Sequence, residues 1–204
     1  DWVKVVIPKH TIENNNCTVC KGSKCGATES DTVTWVYDEG TLYINGTGAM
    51  ADYNTVPWNN LKNEITTVVI GSGVTTISNY AFRNCTALTT IEIPDSVTTI
   101  GINAFNGCTS LTTIEIPNSV TTIGDSAFSG CKVLKSFPTM KKLEAIGART
   151  FKGCIKLPAF ILAAKVKSIG KNAFYGCKAL KDIDVKTTKL TDSNVGTSAF
   201  KDIN

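Results

Sequence analysis

Four side chains near the amino terminus have the types and spacing of a metal-binding segment. His10 is followed by Cys17, Cys20 and Cys25. Imidazole and thiolate are ligands that zinc prefers, and a C-x-x-C turn can bring two sulfurs to one tetrahedral ion. The segment lacks a second paired-ligand motif, so a structural zinc site, a disulfide among the three cysteines and free thiols all stay open.

Side chains that could form a catalytic site are scarce. His10 is the only histidine, and the chain contains no G-x-S-x-G and no H-E-x-x-H motif. Glu92 and Glu115 form a pair of carboxylates at equivalent places in the sequence. They arise by duplication of one sequence unit, and we expect them on an open surface. The sequence therefore predicts a protein that is not an enzyme.

One apolar pattern with a period of 23 residues decides the fold. It consists of four ladders of identical residues: Cys85, Cys108, Cys131, Cys154 and Cys177; Phe82, Phe105, Phe128, Phe151 and Phe174; Ile77, Ile100, Ile123, Ile146 and Ile169; Leu88, Leu111, Leu134, Leu157 and Leu180. A fixed period of this length is typical of a solenoid, in which stacked units bury one continuous core.

The repeated unit reads L-x-x-I-x-I-P-x-x-V-x-x-I-G-x-x-A-F-x-x-C. Ile91 and Ile93 would share one face of a strand, because successive side chains of a strand point to opposite faces. The glycine that follows the second apolar segment is expected to supply unusual backbone angles for a corner. These glycines are Gly101, Gly124, Gly147 and Gly170. Ala-Phe is then expected to open a short helical turn, with the phenylalanine in the middle of the coil.

The string L-T-T-I-E-I-P-x-S-V-T-T-I-G-x-x-A-F-x-G-C resembles the bacterial surface leucine-rich repeats of the BspA type, over roughly residues 65–200. The resemblance implies a leucine-rich repeat solenoid, a right-handed curved α/β superhelix with a parallel sheet on its concave side and short helical turns opposite. It also implies an exported protein that binds other macromolecules.

The five ladder cysteines allow two interpretations. They can be buried thiols that act as small hydrophobic side chains, or disulfides between successive coils. A disulfide needs Cα atoms within about 7 Å and suitable side-chain directions. Five is an odd number, and the periodic spacing favours buried thiols.

The sequence divides into three segments. Residues 1–24 form the His/Cys segment, residues 25–64 a capping block, and residues 65–204 the repeats, of which the last carries an insertion. In the second segment, residues 32–37 and 41–45 alternate around Asp38-Glu39-Gly40, which predicts a β-hairpin. We expect Trp35, Leu42, Ile44 and Trp58 to cover the open apolar end of the first coil.

Charge is distributed unevenly. Residues 1–130 contain six Lys and Arg against twelve Asp and Glu, and residues 131–204 contain fifteen against five. Solvated surface lysines alone would account for this, but a basic half also attracts acidic partners. The corner between the two walls of a coil carries Lys141, Lys142, Lys165 and Lys167 in the later units, and we expect these lysines to cluster.

The concave sheet face is the second candidate binding surface. It is expected to present Thr90, Glu92, Thr113 and Glu115, with Lys135 in the adjacent row. These features predict an extracellular or cell-surface module for a protein or glycan partner, acidic partners included, with no role in nucleic-acid binding. No apolar run reaches the roughly 18 residues of a membrane helix. The alternative is a structural spacer that presents other modules of a longer surface protein.

Overall fold

The chain winds into stacked coils that are built mainly from short parallel strands. A computed structural model describes residues 23–26 and 28–203. The strands are β1 (Ser23–Lys24), β2 (Thr34–Asp38), β3 (Thr41–Asn45), β4 (Gly48–Ala49), β5 (Thr67–Ile70), β6 (Val74–Ile77), β7 (Thr90–Glu92), β8 (Thr99–Ile100), β9 (Thr122–Ile123), β10 (Ala145–Ile146), β11 (Ala159–Leu162), β12 (Ser168–Ile169) and β13 (Asp182–Val185).

The first strand wall consists of β3, β5 and β7 and, further along, of β11 and β13. Each pairs in parallel with the next, and the register places Thr67 opposite Thr90 and Ala159 opposite Asp182, in steps of 23 residues. Within the described residues, 111–116 and 134–140 contain no assigned strand, although Lys135 N–H still donates to Thr112 O at 2.8 Å. The predicted parallel sheet is therefore present and interrupted in two coils.

The second strand wall is formed by two parallel sheets, β4-β6-β8-β9 and β10-β12. Its strands end on the isoleucine ladder, as Ile77 pairs with Ile100 and Ile100 with Ile123. These isoleucines are buried. The second wall closes each coil because its apolar residues point to the same interior as those of the first wall.

The third side of each coil, here called the turn wall, holds the Ala-Phe-x-x-Cys segments. The predicted helical turns are wrong: these segments are turns, and helix in the described part of the chain is limited to 3₁₀ segments at Asn59–Leu61 and Asp192–Asn194. Backbone N–H groups bond to the next coil instead, as from Phe82 to Ala104 O and from Phe105 to Ala127 O, both at 2.8 Å. The molecule is therefore a β-solenoid and not the predicted α/β superhelix.

The glycines at the corner of each coil have a different role from the predicted one. Gly101, Gly124, Gly147 and Gly170 are not in the left-handed region. A Cβ on Gly124 would lie 2.5 Å from the backbone nitrogen of Ile102 in the preceding coil. Glycine is needed here because two coils approach closely. The left-handed angles fall later in the coil, as at Asn103 (φ 55°) and Gly107 (φ 76°).

A column of aromatic rings runs through the core beneath the turn wall. Ring centroids lie 5.4 Å apart for Phe82 and Phe105, 5.3 Å for Phe105 and Phe128, 5.8 Å for Phe128 and Phe151, 5.2 Å for Phe151 and Phe174, and 5.3 Å for Phe174 and Phe200. The five phenylalanines from Phe82 to Phe174 are fully buried. The predicted phenylalanine ladder is therefore the interior of the coil.

The block before the repeats extends the solenoid by one irregular coil. Strands β2 and β3 form an antiparallel hairpin around Glu39 (φ 39°) and Gly40 (φ 86°), and positive φ at both loop residues is the geometry of a tight type I′ hairpin. Strand β3 continues the first wall beside β5, and β4 continues the second wall beside β6. Trp58 lies 6.1 Å from Phe82 at the head of the aromatic column.

The predicted insertion in the last coil is absorbed before its turn wall. The step from Phe174 to Phe200 is 26 residues, and the added length includes the 3₁₀ segment at Asp192–Asn194. Val195 then bridges to Ile169, and Gly196 N–H donates to Ile169 O at 2.6 Å. Regular stacking resumes there, so the insertion lengthens a loop without shifting the core.

Candidate binding surfaces

The first strand wall alternates between buried and exposed residues, as the unit pattern predicts. Thr90 and Glu92 of β7 are exposed on either side of buried Ile91. One coil later, Thr113 and Glu115 are exposed around buried Ile114, and Lys135 is exposed in the coil after that. This outward face offers hydroxyls and carboxylates at 23-residue steps, which suits polar contact with a partner.

The basic corner, defined as Lys141, Lys142, Lys165 and Lys167, lies at and just after the turn between the two strand walls. Lys141 and Lys142 form the turn of one coil, and Ala164 and Lys165 form the equivalent turn of the next. All four lysines are exposed. Two coils earlier, the same turns hold Asp95-Ser96 and Asn118-Ser119. The change from acidic or neutral to basic therefore falls at one structural position.

A carboxylate lies within the basic corner. Lys167 Nζ donates to Glu144 Oε2 at 2.7 Å, and both side chains are more than half exposed. The hydrogen bond and charge of Lys167 lower the pKa of the Glu144 carboxyl, with smaller contributions from Lys165 and Lys189. Sequence reasoning missed Glu144 and Lys189. The 23-residue spacing between Glu144 and Lys167 was the signal that could have revealed the pair.

The ladder cysteines are buried free thiols, and four of them make the same type of hydrogen bond. Each of the later four donates its S–H to the phenylalanine carbonyl 26 residues earlier: Cys108 to Phe82 at 3.2 Å, Cys131 to Phe105 at 3.3 Å, Cys154 to Phe128 at 3.2 Å and Cys177 to Phe151 at 3.0 Å. Burial raises the pKa of Cys131 to about 12 and that of Cys177 to about 11. Protonated thiols of this kind are poor nucleophiles.

Cys25 is the one member of the predicted zinc set that the structure describes; His10, Cys17 and Cys20 lie outside the described residues. Its side chain is fully buried in the apolar core, and its N–H donates to Val33 O at 2.7 Å. Burial raises the pKa of the Cys25 thiol to about 11. Zinc binds the thiolate, so this environment favours a core residue, and zinc at the His/Cys segment stays a prediction that metal analysis tests.

The coils, with their leucine and isoleucine walls and aromatic column, form a leucine-rich repeat solenoid. A family model described as the BspA type leucine rich repeat region matches six copies over residues 59–181. The chain belongs to this family. A sequence comparison with curated proteins gives no match.

Solved structures of bacterial leucine-rich repeat proteins have the same fold. A Treponema pallidum leucine-rich repeat protein is 22% identical with a TM-score of 0.62, covering 89% of this chain and 92% of its own. A Bacteroides ovatus leucine-rich repeat protein is 24% identical with a TM-score of 0.58, covering 87% and 56%. A Faecalibacterium prausnitzii leucine rich cell surface protein is 26% identical with a TM-score of 0.51, covering 82% and 56%.

This chain thus spans nearly the whole Treponema protein but only about half of the other two. In the part of the chain that the structure describes, no helix is long and apolar enough to cross a membrane. The described residues also contain no group of three or more His, Cys, Asp or Glu arranged to hold a metal ion.

Proposed function

We propose that the chain is an exported, non-catalytic binding module of a bacterial cell surface, and that its partner is an acidic protein or glycan. Family membership supports a surface protein, because a structural relative is a leucine rich cell surface protein. The partner class follows from the chain's own charges. The basic corner is the main contact, and the exposed strand face with Thr90, Glu92, Thr113, Glu115 and Lys135 is a second one.

The observation that carries the proposal is the contrast between a repeated interior and a changed corner. The phenylalanine and cysteine ladders pass through residue 131 without a break. At the turn between the strand walls, however, Asp95 and Asn118 give way to Lys141, and Ser96 and Ser119 to Lys142. The core does not require this change, because the corner lysines are exposed. Clustered positive charge attracts polyanions from a distance.

The test replaces Lys141, Lys142, Lys165 and Lys167 together with glutamine and measures heparin binding across salt concentrations. A matched control removes the same number of charges elsewhere, at Lys152, Lys171, Lys178 and Lys201, which are also exposed. We expect the corner variant to lose affinity and most of its salt dependence, because screening acts on the charges that make the contact. Equal losses in the two variants would remove the basic corner as a site.

The second candidate function is a structural spacer that holds other modules away from the cell. It is favoured by the near-identity of the coils over residues 88–133, since a face that only separates modules has no reason to vary. If neither variant changes binding and the parent chain binds no extracellular polyanion, the spacer becomes the better description.

The segment 25–64 is proposed as the cap of the repeat segment 65–204, with residues 1–24 as a separate His/Cys segment. The burial of Trp35, Leu42, Ile44 and Trp58 supports this role, because terminal units of a solenoid must cover the apolar end of the stack. Trp58 also ties the block to the first repeat, since its Nε1–H donates to Ala81 O at 2.8 Å.

A further inference from the structure

A polar cleft opens at the amino-terminal end of the turn wall, away from the basic corner and the strand face. Its volume is about 420 Å³, within the range of roughly 300–1,000 Å³ that small-molecule sites occupy. One side comes from the segment around Asn59 and Lys62, and the other from Tyr80, Arg83 and Asn84 in the next coil. The cleft thus lies at the junction of the irregular first coil with the repeats.

The charges of the cleft oppose those of its surroundings. Lys62 and Arg83 are the only lysine or arginine between residues 28 and 130, a stretch that contains ten aspartates and glutamates. Both cations line the cleft, and none of those ten acids does. Arg83 is positioned by the Tyr80 ring, whose centroid lies 5.6 Å from the guanidinium carbon. Within residues 28–130, the positively charged side chains are therefore concentrated at one concave place.

Tyr80 occupies a position that the other coils fill with a different kind of residue. Its φ is 61°, and the equivalent residues of later coils, Asn103, Ser126, Arg149 and Asn172, have φ between 55° and 58°. The left-handed backbone is thus a feature of the repeat, and it disfavours a bulky side chain such as that of Tyr80. The ring is also 38% exposed. The core gains little from Tyr80, whereas the cleft gains a wall and a support for Arg83.

We propose that this cleft binds an anionic saccharide, with Lys62 and Arg83 on its acidic group. Guanidinium and ammonium groups bind carboxylate or sulfate oxygens through charge-assisted hydrogen bonds. The other lining side chains include three asparagine amides and a threonine hydroxyl, which donate to and accept from sugar hydroxyls. This assignment does not depend on the basic corner, because the two sites share no residue.

The test titrates the isotope-labelled full chain with glucuronate, glucose 6-sulfate, glucose and acetate, and follows backbone amide shifts by NMR. We expect glucuronate or glucose 6-sulfate to shift amides at residues 54–62 and 80–84, and we expect glucose and acetate to bind at least about tenfold more weakly, since each lacks one half of the recognised chemistry. Equal binding of acetate would make this a simple anion site and overturn the proposal, as would shifts confined to the basic corner or no shifts at all.

Three cleft variants and one control variant assign the binding to the cleft. Arg83→Gln and Lys62→Gln should each weaken glucuronate binding by about tenfold, whereas Lys178→Gln, which removes an exposed charge outside both proposed sites, should leave it unchanged. Tyr80→Asn should weaken binding while the melting temperature stays the same or rises, because asparagine tolerates a left-handed backbone. Unchanged binding in all of the cleft variants would overturn the assignment, and the thermal melts show that each variant is folded.

Discussion

Two adjacent pairs of coils, residues 85–130 and residues 131–177, have the same interior and different surfaces. Both contain the phenylalanine column and the thiol bonds, with Cys108 at 3.2 Å and Cys177 at 3.0 Å from their carbonyl partners. Lysine and arginine are absent from the sequence of the first pair and number ten in the second. A buried side chain must pack against both neighbouring coils, which constrains its type. An exposed corner side chain packs against neither coil and is free to vary.

The two pairs also differ in one layer of the core. The position of Ile91 and Ile114 is taken by Phe137 and Phe160 in the later coils. Phe137 packs edge-on against Phe128 at 5.1 Å and Phe151 at 4.7 Å, and its ring is stacked with Phe160 at 5.7 Å. Phe160 in turn packs against Phe151 at 5.0 Å. The two later coils therefore contain a second pair of stacked rings, of which Phe137 lies in a coil without an assigned first-wall strand and Phe160 lies in β11.

The largest effect on stability is expected in the phenylalanine column, which both pairs of coils contain. Phe128→Ala should lower the free energy of unfolding by about 3–5 kcal/mol, because it removes a fully buried ring between two others. Thr113→Ala, on the exposed strand face, should change it by less than about 0.5 kcal/mol. Denaturant unfolding measures both. Equal losses would contradict the division between interior and surface.

A smaller effect concerns the thiols and pH. Burial raises the pKa of Cys131 from an ordinary value of 9.0 to about 12. The folded protein therefore holds the proton more tightly than the unfolded chain, so the stabilisation is complete below pH 9 and is lost as pH rises toward 12. The unfolding free energy of the parent chain should fall between pH 7 and pH 10, and this fall should be roughly 1–2 kcal/mol smaller in Cys131→Ala. Thr113→Ala should keep the parent slope; a parallel slope for Cys131→Ala would show that the thiol does not titrate as described.

The second pair of stacked rings can be isolated by a double-mutant cycle. Phe137→Ile and Phe160→Ile each restore the residue type of the earlier coils at this position. We expect a coupling free energy of about 0.5–1.5 kcal/mol between the two sites, since stacked rings attract beyond their buried area. Additive losses would mean that the two rings pack independently, and that they are no stacked pair in the energetic sense.

The smallest effect concerns the carboxylate in the basic corner. Glu144→Gln releases Lys167 from its 2.7 Å contact and should raise heparin affinity by about two- to fivefold, as expected for one exposed charge. The control is Asp184→Asn, which removes the partner of Lys186 at 2.8 Å on the first strand wall. A similar gain in both variants would mean that net charge alone matters, and not the corner.

The period of the sequence predicted the ladders, their burial and the loop in the last coil, because stacking demands the same apolar residue at each step. It could not predict the turn wall. Nothing in the local sequence of an Ala-Phe segment disfavours a helix. The segment is a turn because Phe105 N–H donates to Ala127 O of the next coil and not to a carbonyl within a helix. Likewise, the recurrence of a glycine such as Gly124 does not reveal whether glycine is required for its backbone angles or for the close approach of two coils.

The candidate sites, like the fold, were predictable only where they belong to the periodic part of the chain. Repeat spacing placed Lys142 and Lys165 at equivalent turns because both belong to the periodic part of the chain. The saccharide cleft was invisible, because one of its walls comes from the irregular block around Lys62 and the other from Arg83 in the repeats. No spacing in the sequence links residues that meet only through the stacking of an irregular coil on a regular one.

The hydrogen bonds between coils also determine how the molecule responds to force. On the turn wall, Phe105 donates forward to Ala127, and on the second strand wall Thr121 donates back to Thr98, so neighbouring coils are attached on at least two sides. Tension on the chain ends would load only the bonds of the outermost coil. We expect stretching of single molecules to release coils one at a time, in steps of roughly 80 Å of extended chain for each 23 residues. A single rupture of the whole stack would contradict this. A chain with such a response lengthens stepwise under tension.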